Sequence, residues 1–189
     1  MTQNDRDKIG NAVVYIAQRV QPLSKTKLLK LLFLMEECSV KKFHTPFIGM
    51  AFEVWQAGPV LRDIFVDLSE TPLLLDGYVS KNIIEGNTYI NPVAFFNDDE
   101  FSDNDMAVMD EIIRKYKDMT AKQLVELTHS EDGIWYRTAK EHGLLPLFAS
   151  KLLNNTTVHI DLGSDLPDKE RDFYMEQLDF LNKTRNNAF

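Results

Sequence analysis

The sequence predicts a mainly α protein with a minor β part (α+β): a single helical domain bearing a small β-hairpin or short antiparallel sheet. Two observations carry that prediction. Apolar residues recur three and four positions apart through several long segments, the spacing of a helix with one buried face. Between Tyr78 and Val93 this period gives way to two short runs around Glu85-Gly86-Asn87, the pattern of paired strands. The length of 189 residues suits one domain with a sizeable core.

Ile9, Val13, Ile16, Ala17 and Val20 set the first helix at about Asp5–Val20, ended by Pro22. Ser24 caps the second, at about Lys25–Lys41. Leu28, Leu31, Leu32 and Met35 form its stripe, and Leu29, Phe33 and Leu34 widen the apolar surface almost all the way round. Such a helix belongs at the centre of a domain. Phe52–Trp55 forms an extended arm. Gly58-Pro59 then turns it into a helix from about Pro59 to Leu68, with Pro59 in the first turn.

The hairpin runs from Val79–Ile84 to Thr88–Val93, with Gly86-Asn87 as its two-residue turn. Ser102 caps a helix carrying Met106, Met109, Ile112, Ile113 and Tyr116. Thr120-Ala121-Lys122-Gln123 is a capping box for a helix to about His129. Gly133–Tyr136 opens another short helix that Gly143 stops. The spacing leaves Leu144–Leu153 unassigned. Val158–Ile160 reads as a short strand. Pro167 starts the last, acidic helix, at about 167–183, which packs on the rest. Residues Asn182–Phe189 are expected to fray.

The net charge of −8 opposes general nucleic-acid binding. Lys25, Lys27, Lys30, Lys41 and Lys42 read as a solvated helix face. Cys38 is the only cysteine, which excludes an internal disulfide or a cysteine metal cluster and fits a reducing compartment. No leader pattern follows Met1. The longest apolar runs, such as Leu31–Met35, are too short to cross a bilayer. The expected location is the cytoplasm.

Catalytic motifs are sparse. The glycines form no phosphate loop, and the four histidines never fall at metal-ligand spacing. His129 with Glu131 and Asp132 is the one local grouping that a distant histidine could complete, although a helix-end role for His129 is the simpler reading. Cys38 falls in the helix phase of a buried thiol. Glu36-Glu37 and Asp98-Asp99-Glu100 read as solvated charge. The sequence calls for no cofactor and no metal.

Three stretches together resemble the Panacea domain, also known as the SocA-like antitoxin or phage-associated GepA-like domain. They are Leu23–Phe33, with its lysine before a leucine run; Phe52–Val60, with Trp-x-x-Gly-Pro-Val; and Leu124–Trp135, with Leu-Thr-His before a Trp. Their order and spacing agree over about Ile9–Gly143. The motif positions are Lys27, Leu31, Trp55, Gly58, Pro59, Val60, Thr128, His129 and Trp135, as structural or partner-binding residues. The chain departs from the pattern at Gln56-Ala57, where an aromatic is commoner, and at Ile134, often a proline.

The resemblance implies a mainly helical bacterial or phage protein, not an enzyme, that neutralises a cognate toxin by direct protein–protein contact. It supplies no catalytic residues. The alternative is a phage or mobile-element interaction protein, or a protease adaptor, without a dedicated toxin. A third reading is an enzyme using His129, which requires a pocket around that ring. Trp55 and Trp135 would either pin the core or border the partner surface.

Overall fold

Ser24 accepts the Lys27 N–H at 3.2 Å and starts the helix on which the chain is assembled. That helix, α2, spans Lys25–Phe43. The computed structural model describes residues 2–186. Before α2 come α1 (Gln3–Arg19) and the two-residue strand β1 (Leu23–Ser24). Leu28, Leu31, Leu32 and Met35 are wholly buried. Each contributes roughly 1.5–3 kcal/mol relative to exposure. The near-continuous apolar girth of α2 is thus met by neighbours on every side, as its sequence requires.

The extended arm forms, but its continuation differs from expectation. Glu53–Trp55 (β2) folds back on Gly58–Val60 (β3), with Trp55 opposite Gly58 and Val54 opposite Pro59. Helix α3 therefore starts later, at Arg62–Ser69. Pro59 sits in a strand rather than a helix turn because no ladder bond is lost there. The Val54 N–H facing that position points the other way, to the Val158 carbonyl at 2.9 Å. A proline is tolerated in a strand where its missing N–H would be unpaired. Residues 158–160 flank the far side of β2 through a bridge between Glu53 and His159.

The second hairpin joins β4 (Val79–Ile84) to β5 (Asn87–Pro92). Its turn residues are Glu85 and Gly86, with φ of 50° and 78°, one position earlier than the sequence pattern placed them. Tight hairpin turns need positive φ at both central residues. Here glycine takes the second place and glutamate accepts the first. The three-stranded sheet has the order β1-β5-β4, so the two-residue β1 anchors the hairpin to the start of α2.

The remaining helices are α4 (Asp103–Tyr116), α5 (Ala121–Thr128), α6 (Ile134–Glu141), α7 (Leu145–Ala149) and α8 (Asp168–Asn186). Capping boxes at Ser102–Asp105 and Thr120–Gln123 start α4 and α5. The unassigned stretch after Gly143 contains α7. The tail does not fray at Asn182, because Arg185 is held by Asp5 and by the carbonyls of Ile48 and Gly49. Residues 187–189 of that expectation lie outside the described residues.

Candidate functional site

The Trp55–Val60 hairpin turn is held by its own backbone carbonyls, each bound by a side chain from a different helix. Trp135 Nε1 on α6 donates to the Trp55 carbonyl at 3.1 Å. His129 Nε2, at the end of α5, lies 3.0 Å from the Gln56 carbonyl. Lys30 Nζ on α2 donates to the Pro59 carbonyl at 2.8 Å. Gln56 adds two bonds outward: its N–H donates to the Asn154 carbonyl and its side-chain amide to Phe148.

Gly58 closes this clamp for a steric reason. Its φ is +97°, and a Cβ there would lie 2.9 Å from Lys30 Nζ and 3.0 Å from Thr128 Oγ1. Only glycine combines that backbone angle with that approach. Thr128 Oγ1 donates to carbonyls of its own helix, Leu124 and Val125, so the hydroxyl is fixed where it limits the space beside Gly58.

The structure brings together Trp55, Gly58, Pro59, Thr128, His129 and Trp135. Val60 is buried beneath them and Leu31 is in the core. Lys27 lies elsewhere: its Nζ donates to the Lys117 carbonyl at 2.5 Å and ties α2 to the end of α4. Trp135 is buried at 3% exposure, whereas Trp55 is only half-buried, packed edge-on against Phe65 at 4.7 Å.

The solvated-lysine reading fails for Lys27 and Lys30, which are 8% and 1% exposed. Burial pushes the Lys30 ammonium down to about 7. Burial also lowers Lys27, with Asp118 pulling the other way. Lys25 rests over the Phe65 ring, 4.1 Å from its centroid, and Lys41 and Lys42 pair with Glu37 and Glu111. Lys30 was legible in principle. A single cation between Leu28-Leu29 and Leu31-Leu32, in a helix apolar nearly all round, has nowhere to go but inside.

Glu36 is likewise buried rather than solvated, at 1% exposure. Its carboxylate accepts the backbone N–H groups of Phe47, Ile48 and Gly49 at 2.8–3.2 Å. Burial also raises the Cys38 thiol, with Glu111 adding to the effect, which disfavours the reactive thiolate.

His129 has both ring nitrogens on backbone carbonyls, Nδ1 at 2.5 Å from Val125 and Nε2 on Gln56. Its ring packs against Trp135 with centroids 3.9 Å apart. The ring thus ties the end of α5 to the hairpin turn. Among the described residues, no three His, Cys, Asp or Glu side chains are grouped to hold a metal. No helix there is long and apolar enough to cross a membrane.

Beside the clamp, an open groove of about 240 Å³ runs between α2 and the α5–α6 connection. Phe33, Leu34, Leu127, Ile134 and Trp135 give it an apolar floor, with Glu37, Lys41 and Asp132 at its rim. Leu127 remains 37% exposed there. Apolar walls with a few charged groups are the composition of a binding groove.

Fold and site define a mainly helical domain organised around a clamped hairpin turn with a groove alongside. The chain belongs to the family described as antitoxin SocA-like, Panacea domain, whose sequence profile matches residues 28–136, more than half of its length. That span contains every clamp residue; Lys27 falls just before it. No curated protein and no solved structure matches the chain significantly.

Proposed function

We propose that this protein is an antitoxin-like binding protein that neutralises a toxin by direct contact, with no catalytic step of its own. Family membership carries the toxin–antitoxin part of this reading. The mode of action rests on His129, whose two ring nitrogens are both engaged by carbonyls. A residue so placed braces the turn beside the groove and so supports a binding surface.

The surface offered to the toxin is the groove beside the clamp. It lies within the family span and joins the first and third motif regions through Phe33, Thr128 and Trp135. Half-buried Trp55 borders the same turn. An apolar floor with an aromatic edge is the composition of an interface centre. The net charge of −8 would speed encounter with a basic toxin.

The deciding experiment is co-expression with the product of the adjacent gene. The expected outcome is growth arrest by that product alone, rescue by this protein, and co-purification of the two. A Leu127→Glu variant should lose the rescue while keeping its fold. A neighbour that is harmless alone and never co-purifies would defeat the reading.

A further inference from the structure

The sheet order β1-β5-β4 leaves β4 at an edge. Which of its backbone groups are free follows from the register. The Val93 N–H donates to the Tyr78 carbonyl at 2.9 Å, and the tight turn closes Ile84 on Asn87. Even-numbered residues of β4 therefore bond to β5, and odd-numbered residues face outward. Val79 confirms this, since its outward N–H reaches the Leu75 carbonyl. The outward N–H and C=O groups of Lys81 and Ile83 remain.

Sheet edges are ordinarily blocked by proline, by a bulge or by several charges. β4 has no proline and pairs with β5 without interruption from Val79 to Ile84. Its end carries apolar side chains in water: Ile83 is 70% exposed and Ile84 56%.

We propose that this edge pairs with the same edge of a second copy of the chain, antiparallel, about a two-fold axis at Asn82. Two features select a second copy as the occupant. The free groups of Lys81 and Ile83 are self-complementary: with Asn82 on the axis, Lys81 of each copy faces Ile83 of the other in a bonded pair, and all of the groups are satisfied. The protein also carries a net charge of −8, so two copies repel generally, yet no carboxylate occurs from Val79 to Ile84.

Such an interface is small. Two hairpin edges bury less than the roughly 1,200 Å² of a stable association, so the dimer is weak and depends on concentration.

Site-directed crosslinking of the full chain tests this, in a Cys38→Ser background. Asn82 faces its own counterpart across a non-bonded pair, with Cα atoms about 4.5 Å apart, within the range that a disulfide spans. Asn82→Cys should therefore crosslink under mild oxidation. Ser80→Cys, which faces Ile84 of the other copy, should not. Sedimentation of the unmodified protein should show its mass approaching double as concentration rises. Ile83→Pro removes only an outward N–H, and should leave a monomer with an unchanged circular dichroism spectrum. Equal crosslinking of both cysteine variants, or none from Asn82→Cys, would overturn the proposal. So would a monomer at every attainable concentration, including one whose Ile83→Pro variant loses toxin binding, which would give the edge to a foreign strand.

Discussion

Glu36 and Arg185 grip one short loop from opposite sides. The carboxylate takes the N–H groups of Phe47, Ile48 and Gly49, while the guanidinium takes the carbonyls of Ile48 and Gly49 and pairs with Asp5. A loop that belongs to no strand or helix thus has its polar backbone satisfied. The same contacts fix the end of α8 against the start of α1.

This shared loop makes the two residues energetically dependent. Glu36→Gln leaves buried N–H groups facing an amide and should cost about 1–3 kcal/mol. Arg185→Ala should also destabilise. In chemical denaturation the double variant should fall short of the sum of the single losses by about 0.5 kcal/mol or more. Strict additivity would show that the two grips are independent.

Gly58→Ala should cost about 1–3 kcal/mol from backbone strain alone. Contact with Lys30 Nζ and Thr128 Oγ1 adds to that. A melting curve equal to the parent's would mean that the turn can relax away from α2 and α5.

Lys30 gives stability a definite dependence on pH. Its folded value of about 7 lies below the ordinary 10.5. Between those values the unfolded chain holds a proton that the folded chain has shed. Stability should therefore rise with pH across that window, by up to about 1.4 kcal/mol per pH unit. Below pH 7 this contribution is absent. The difference between the parent and Lys30→Met, measured by denaturation from pH 6 to 10, should show that slope; parallel curves would contradict it.

The two tryptophans should separate in a paired assay. Trp135→Ala empties a buried site and should cost about 3–5 kcal/mol. Trp55→Ala, at a half-buried ring, should cost less and act mainly on toxin binding. The reverse order in thermal melts would exchange their roles.

Much of the helical scaffold was legible because it is written locally. Ser24, Ser102 and Thr120 each declare a helix start within three residues, and each caps one in the structure. Pro59 was misassigned because a proline after a glycine suits a helix start as well as a strand. The facing Val54 N–H, turned toward Val158, decides between them. The clamp joins Lys30, Gln56 and His129 through backbone carbonyls, which leave no mark on side-chain identity. Arg185 looked like tail because its partners at Asp5, Ile48 and Gly49 lie far away in the chain. Spacing reports periodicity within an element; it carries nothing about which distant carbonyl a cation will find.

The carbonyl clamp has an evolutionary consequence. Trp135, His129 and Lys30 hold the turn through atoms that every residue possesses, so the position of the turn does not depend on which side chains it displays. Ala57 is exposed, and among the described residues only one side-chain bond ties Gln56. These two positions can change identity while the fold beneath them stays put, so the face of the turn can be varied without rebuilding what holds it.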